Sequence, residues 1–361
     1  MRNSILTLLI AGTVTLAGCG GGGGGNVRPS GDGFAPRTVS DAYSADPGRT
    51  RTAAARVASS LPRFGSVTQS TNRGVSGVTT DAASTTFDGR NVSLAVARQD
   101  GSRLRLDSAT HAVPDFTTDW TSPIGNHTGR TWGLLDYTNS TVTVGLTAVS
   151  WNNSDPTDYL AGGYWMYVTG DFSAPRVTGI EVGAFVDGPE LDGPARVPTL
   201  GTATYTGAAS GLYAYEYGSG HSEVPDGTVE VGSYDAVATL NADFGAGTIA
   251  GCIGCVGAVT VSGVASAPDG RAAGFEGVET YARVRMAPAA IGSDGTFRNR
   301  DVSVELLGRT VTSSSGSWGG KFSNIEDSAG DPRLVAGTNG AEWNESDGSQ
   351  GVLTGAFFGT K

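Results

Sequence analysis

The sequence predicts an all-β protein in which an N-terminal β-rich domain precedes a C-terminal antiparallel up-and-down barrel of about eight strands. Apolar and polar residues alternate in many short runs, which is the period of a half-buried strand. Glycine supplies 56 of the 361 residues, well above its usual share of roughly 7 %. Turn signals separate the runs, and long helical patterns are missing. Together these three observations favour many short strands over helices.

The N-terminus has the form of an export signal. Arg2 supplies a positive charge, and the apolar run 4–16 is too short for a spanning helix, which needs about 20 apolar residues. The run ends in Leu16-Ala17-Gly18-Cys19, which resembles the lipobox of bacterial lipoproteins. We therefore expect residues 1–18 to be a lipoprotein signal peptide and Cys19 to be the lipidated residue. A plain signal peptide that contains a cysteine is the alternative.

Residues 19–61 are expected to form a disordered leash between the lipid and the folded part. The glycine run 20–25 is flexible, and the rest of the segment is rich in Gly, Ser and Pro. Gly20 stands where enterobacterial lipoproteins retained at the inner membrane carry Asp. The expected location is therefore the cell outer membrane, with the lipid as the membrane partner and exposure at the cell surface left open. The net charge of −11 argues against a nucleic-acid partner.

Residues 62–198 are expected to form the first β-rich domain. Strand patterns cover 91–97, 103–107, 141–151, 164–168 and 179–186. The segment 187–198 contains three prolines and marks the domain boundary.

Residues 199–361 are expected to form the barrel, because a closed sheet has no unpaired edge strands. The strand patterns cover 201–207, 212–218, 229–244, 248–261, 282–287, 301–307, 316–322, 332–338 and 351–359. Tyr213, Tyr215 and Tyr217 are expected on one face. In the next strand Leu240, Ala242 and Phe244 are expected opposite Asn241 and Asp243.

Several segments of this second half resemble the β-barrel of transferrin-binding protein B and its relatives. Thr239-Leu240-Asn241-Ala242-Asp243-Phe244 is similar to a strand end in that family, and 353–359 is similar to its barrel-closing strand. The segments 203–213 and 316–322 fit as well. The family's last strand runs on into an Ala-x-Glu segment, whereas this sequence stops at Lys361. The resemblance implies a small surface lipoprotein with one handle-like domain, 62–198, and one barrel, 199–361.

The resemblance also implies a binding function. The expected ligand is a host or environmental protein, or a small molecule such as haem. The alternative is a structural or envelope-assembly lipoprotein without an exchangeable ligand. The recognition loops of the family vary too much to transfer ligand-contacting residues, and nothing in the resemblance implies transferrin itself as the ligand.

Cys252 and Cys255 form a Cys-x-x-Cys pair with three open interpretations: a redox motif, half of a metal site, or a local disulfide. The thioredoxin-like setting of a redox motif is missing, and so is a second ligand pair for a metal. In a regular strand the two residues would lie about 10 Å apart, whereas a disulfide needs Cα atoms within about 7 Å. Nearby glycines allow the required bend, and export to an oxidising compartment favours a structural disulfide.

Neither catalysis nor a bound metal or cofactor is expected. The sequence has no nucleophile elbow and no phosphate loop. His111, His127 and His221 are expected to be surface residues; a metal or haem site near His111 and His127 is the alternative. The carboxylates of 187–192 are expected to be solvated turn residues, with calcium binding as the alternative.

An aromatic cluster lies beside the polar turn 152–158. Such a cluster is either an interface hot spot or core packing between the two domains, and we expect packing. Its members are Tyr159, Tyr164, Trp165 and Tyr167.

Overall fold

The computed structural model describes residues 67–70, 83–97, 102–171, 176–192, 194–219, 227–266, 272–279, 282–306 and 308–361. The predicted signal peptide, Cys19, the leash and His221 lie outside these residues. The all-β, mainly antiparallel fold that the sequence predicts is confirmed.

The first half contains nine strands and one helical turn in its described residues. They are β1 (Val67–Ser70), β2 (Ala83–Phe87), β3 (Val92–Ala97), β4 (Arg103–Asp107), α1 (Ser108–His111), β5 (Ala112–Thr121), β6 (His127–Tyr137), β7 (Thr141–Asn152), β8 (Tyr159–Asp171) and β9 (Arg176–Asp187). A 3-10 turn, Pro189–Leu191, follows. β2, β3 and β4 form a small sheet, and the others form a six-stranded sheet in the order β1-β9-β8-β7-β6-β5. Only the β1–β9 pair of these described strands is parallel.

The second half forms one large antiparallel sheet. Its strands are β10 (Thr202–Glu216), β11 (Val229–Asp243), β12 (Thr248–Ile253), β13 (Val259–Ser266), β14 (Ala272–Glu279), β15 (Ala282–Ala290), β16 (Thr296–Asn299), β17 (Val302–Leu306), β18 (Val311–Phe322), β19 (Leu334–Glu345) and β20 (Gln350–Thr360). The order is β16-β18-β19-β20-β10-β11-β12-β15-β17, with β13 and β14 branching from β11.

The large sheet curls but does not form a complete ring among the described residues. Its first and last strands, β10 and β20, are paired along eleven residues of register. β17 lies beside β18, with Cα atoms within 8 Å, yet the hydrogen-bonded ladder does not continue between them. The closed barrel therefore stays a prediction.

Two strand predictions need correction. The segments 201–207 and 212–218 belong to one strand, β10, because Gly207 and Gly211 lie against the β20 backbone without interrupting the ladder. The predicted strand 248–261 is two strands, because the chain turns after Ile253. Gly254 and Gly257 both have a φ of +75°, a conformation that favours glycine.

Aromatic side chains fill the inside of the large sheet. Tyr213 and Tyr215 of β10 and Tyr217 just after it are buried on one face, as predicted. Leu240, Ala242 and Phe244 are buried, while Asn241 and Asp243 are exposed. Each such ring buries on the order of 150–250 Å². The largest fully buried side chains of this interior are Tyr205, Tyr215, Tyr217, Tyr234, Phe297, Trp318, Phe322 and Trp343.

The glycines make room for these rings. A Cβ atom at Gly351 would lie 2.6 Å from the Trp343 ring, and one at Gly183 would lie 2.7 Å from the Trp165 ring. Such distances are far inside van der Waals contact. The high glycine content therefore follows partly from aromatic rings that lie over glycines of neighbouring strands.

The six-stranded sheet lies between two other layers. In β8, Tyr159, Ala161 and Trp165 pack towards the small β2–β4 sheet, whereas Tyr164 and Met166 pack on the side of the large sheet, where they join Leu212 of β10. A strand that is buried on both faces has a continuous run of apolar residues in its sequence. The predicted role of this aromatic cluster in packing between the two halves is confirmed for Tyr164. It is wrong for Tyr159, Trp165 and Tyr167, which pack within the first half.

Candidate functional site

The Cys252–Cys255 pair lies at the end of β12, where the structure joins the two sulfurs in a disulfide. The Cα atoms are 5.8 Å apart, within the range that a disulfide requires. Gly254, between them, supplies the turn that brings them together. The next residue, Val256, is 56 % exposed, which is unusual for a large apolar side chain in this protein.

A recess of about 560 Å³ surrounds this disulfide on the outer face of the large sheet. We call it the disulfide recess. Its wall combines the disulfide and Val256 with Met286 and with two opposite charges, Arg285 and Asp301. Its size falls in the usual range of ligand sites, about 300–1,000 Å³. It lies on β11, β12 and β15, away from the strands that the six-stranded sheet covers.

A second candidate site is a cluster of charged side chains between the six-stranded and the large sheet. We call His127, Asp158, Glu190 and Arg333 the junction cluster. Arg333 precedes β19, and its Nε donates to Glu190 Oε2 at 2.9 Å while its Nη2 pairs with Glu190 Oε1. The same Nη2 lies 3.3 Å from Asp158 Oδ1. One guanidinium therefore neutralises carboxylates from two different loops.

The carboxylate of Glu190 is buried, so its pairing with Arg333 matters for the stability of the fold. The Glu190 side chain is 0 % exposed, and Ser323 also donates to its Oε2 at 2.9 Å. Desolvation lowers the pKa of the Arg333 guanidinium, but the hydrogen bonds and the charges of Glu190 and Asp158 outweigh it, and the pKa is raised. Arg333 therefore stays charged.

His127 is the fourth member of the junction cluster and is not the surface residue that the sequence predicts. It is the first residue of β6, and its side chain is 1 % exposed. Asn126, just before it, has a φ of +60°, which Asn tolerates better than most residues. The Asn126 amide donates to Asn152 Oδ1 at 3.1 Å and so connects this turn with the loop before Asp158.

The donor atoms of His127, Asp158 and Glu190 all lie within 4.8 Å of one another. His127 Nδ1 lies 2.9 Å from the Gly125 carbonyl oxygen, whereas its Nε2 is buried and has no hydrogen-bond partner among the described residues. Nε2 faces Asp158 Oδ2 at 3.8 Å. An imidazole and two carboxylates are groups that could hold a metal ion.

The prediction that the carboxylates of 187–192 are solvated is wrong for two of them. Asp187 is 5 % exposed and accepts a hydrogen bond from the Thr85 amide at 2.6 Å. Glu190 is 1 % exposed and belongs to the junction cluster. Glu190 is buried because the 3-10 turn passes between the two halves instead of into solvent, whereas Asp187 is buried because the end of β9 lies against β2. His111, in contrast, is partly exposed, and its Nδ1 accepts from the Asp107 amide at 2.9 Å.

A small apolar cavity of about 90 Å³ lies between the six-stranded and the large sheet. Leu160 and Gly162 of β8 face Ala208 of β10 and Phe358 of β20 across it. A cavity of this size and polarity can stay dry in proteins, and it is too small for a haem-sized ligand.

Asp235 is a half-buried acid near this interface, and its Oδ1 atom is buried. It lies opposite Ser210 in the β10–β11 register, and its Oδ1 has no hydrogen-bond partner in the part of the chain that the structure describes. Burial raises the pKa of Asp235 to about 7, and Ser210 opposes the shift. The charge of Asp235 contributes to the raised pKa of Tyr164, after the larger effect of that residue's own burial.

We expect Asp235→Asn to stabilise the protein at pH 8 by about 1–3 kcal/mol and to have almost no effect at pH 4. The folded pKa lies above the unfolded value of about 3.9, so the wild type loses stability as pH rises from about 4 to about 7, by up to about 1.4 kcal/mol per unit. Urea unfolding of both proteins between pH 4 and 8.5 measures the difference. The exposed Asp136→Asn is the control. A stability difference that does not change with pH would contradict this assignment.

Sequence reasoning missed Asp158, Arg333 and Asp235, and it included Glu190 only among the carboxylates of 187–192. The loop 152–158 and the segment 187–192 were both noticed as polar turns, but nothing local connects them with Arg333, which is 143 residues from Glu190 in the sequence. Nothing in the sequence distinguishes Asp235, because β11 also contains the acids Glu230 and Asp243.

Comparison of the sequence with protein-family models and with curated proteins gave no match.

Proposed function

We propose that the chain is a lipid-anchored outer-membrane lipoprotein whose folded part binds a host or environmental protein. The observation that carries the proposal is the lipobox Leu16-Ala17-Gly18-Cys19 with the glycine run 20–25 behind it. A lipid on Cys19 and a flexible glycine leash would hold a folded domain close to the membrane but free to turn. The proposal assigns no catalytic reaction to the chain.

No helix in the described ranges is long and apolar enough to span a bilayer.

The large sheet is proposed to be the barrel of a single handle-plus-barrel lobe like those of the transferrin-binding protein B relatives. Two features support this. β10 and β20, its first and last strands, are paired, and the ladder has its open edges at β16 and β17, which are close in sequence. The run 239–244 ends β11 and leads through a tight turn into β12, as in the family. The six-stranded and three-stranded sheets would be the handle.

A protein ligand fits this geometry better than haem. The inside of the large sheet is filled with buried aromatic rings, so a ligand has to bind at the outer surface. The outer face of β10, β19 and β20 packs against β8 and β9. The disulfide recess is on the opposite side, where an exposed apolar residue, Val256, lies beside Arg285 and Asp301. We assign partner binding to this recess, since apolar anchors within a charged rim are typical of protein interfaces.

The first experiments test the lipid anchor at Cys19 and whether the folded part faces the outside of the cell. Mass spectrometry of the mature protein should find an N-terminal, acylated Cys19, and Cys19→Ser should abolish the acylation. Protease treatment of intact cells should degrade the folded part. If it is degraded only after the outer membrane is opened, the receptor function fails and the envelope-assembly alternative is favoured. An unmodified Cys19 in the mature protein would reject the lipoprotein assignment.

The recess is tested with matched surface variants. Full-length protein in detergent is used to capture partners from the medium in which the cells grow. Val256→Glu should reduce capture at least tenfold, whereas Tyr137→Glu, at the equally exposed end of β6, should not. Equal capture by both variants would exclude the recess as the binding surface.

A further inference from the structure

The His127 ring has a buried nitrogen atom, Nε2, without a hydrogen-bond partner among the described residues. The Gly125 carbonyl oxygen can only accept a hydrogen bond, so His127 Nδ1 carries a hydrogen and a neutral ring has its lone pair on Nε2. This lone pair faces Asp158 Oδ2 at 3.8 Å. If Nε2 were protonated instead, 3.8 Å would be too long for a hydrogen bond. In both cases a buried polar atom lacks a hydrogen-bond partner among the described residues, and in the neutral ring two electron-rich atoms also face each other.

The distances suit a small divalent ion after a modest adjustment. Zinc binds imidazole nitrogen and carboxylate oxygen at about 2.0–2.2 Å, which places two ligands of a tetrahedral ion about 3.4 Å apart. The donor atoms of His127, Asp158 and Glu190 lie within 4.8 Å of one another. Asp158 is 20 % exposed and is at a strand end, so its side chain can move towards the ring.

Arg333 holds the position that a metal ion would compete for. It pairs with both carboxylates, and its side chain is 21 % exposed, so it has a path to solvent. With Arg333 in place the two carboxylates and one guanidinium sum to one negative charge. A divalent ion can replace the guanidinium as the neutralising cation, because it also takes the His127 lone pair that Arg333 cannot use.

We propose that His127, Asp158 and Glu190 form a binding site for a divalent transition metal ion such as zinc, in competition with Arg333. The metal would bind residues that all precede the large sheet. Its binding would release Arg333, the one member of the junction cluster that lies in the second half of the chain, just before β19. Metal binding would thereby exchange a salt bridge between the two halves for a metal site within one of them. This inference does not depend on the proposed partner binding.

The test measures zinc binding to the full chain, purified in detergent without a histidine tag. Equilibrium dialysis against zinc with a competing chelator should give one zinc per chain. His127→Gln should weaken binding at least about 100-fold, since even outer-shell partners contribute about 10- to 100-fold. His111→Gln is the matched control and should bind as the wild type does. Absence of stoichiometric zinc in the wild type, or equal affinity of His127→Gln, would overturn the proposal.

Zinc binding by the Arg333→Gln variant distinguishes a metal site from a cluster of ion pairs that is only structural. Removal of the competing cation should tighten zinc binding about tenfold or more. If Arg333→Gln does not fold in chelator, zinc should restore its near-UV circular dichroism, and a lack of recovery would count against the site. If His127→Gln does not fold, Asp158→Asn replaces it and should also lose zinc. Weaker zinc binding by folded Arg333→Gln would reject the competition.

Discussion

Arg333→Gln is expected to lower the free energy of unfolding by about 3–5 kcal/mol when metal is removed by a chelator. The change leaves Glu190, whose side chain is 0 % exposed, without its counter-charge, and Asp158 loses the same partner. A buried carboxylate that loses its only cation typically costs about this much. Urea unfolding of the full chain in detergent, followed by tryptophan fluorescence, gives the value.

The matched control is the Arg196→Gln variant, because Arg196 forms its ion pair with Glu326 at the surface. The Arg196 side chain is 82 % exposed, so the change should cost less than about 1 kcal/mol. A second control, Glu190→Gln in the Arg333→Gln background, should recover part of the loss because it removes the uncompensated charge. If Arg333→Gln and Arg196→Gln were equally mild, the junction cluster would not hold the two halves together.

The second large effect is expected at Gly163 of β8, and the adjacent Gly162 serves as its control. A Cβ atom at Gly163 would lie 2.9 Å from the carbonyl carbon of Leu146 in β7, and closer still to its oxygen. The strands would have to separate, so Gly163→Ala should cost about 3 kcal/mol, the upper end of typical overpacking. A Cβ atom at Gly162 meets nothing nearer than 3.5 Å and points into the small apolar cavity.

Gly162→Ala should therefore change stability by less than about 0.5 kcal/mol or should stabilise slightly, since alanine restricts the unfolded chain. Thermal unfolding of the two variants at one pH compares them directly. The two changes have the same chemistry one residue apart, so differences in helix or strand propensity cannot explain a divergent result. Similar melting temperatures for both would show that β7 and β8 are not packed as closely as described.

The sequence predicted the all-β class and most of the individual strands because alternation is a local property. The faces of β10 and β11 were assigned correctly from residues two apart, such as Tyr213 and Tyr215 or Leu240 and Ala242. The continuous strand 248–261 was wrong, since a glycine at positive φ, Gly254, ends a strand without changing the apolar pattern.

The junction cluster could not be predicted in the same way. His127, Asp158, Glu190 and Arg333 come from four separate turns or strand ends. The sequence predicts His127 at the surface and Glu190 in a solvated turn, and no local pattern indicates Asp158 or Arg333 as site residues. Their burial depends on the six-stranded sheet packing against β19 and β20, a contact between residues far apart in the chain.

By itself the sequence determined the class of fold, the predicted lipid anchor at Cys19 and the possibility of a Cys252–Cys255 bridge. Each of these depends on residues within a few positions of one another. Only the tertiary structure decided which charges are buried together and which face of the large sheet stays exposed. The physical reason is that desolvation and charge pairing act through space, so their partners are chosen by the path of the chain.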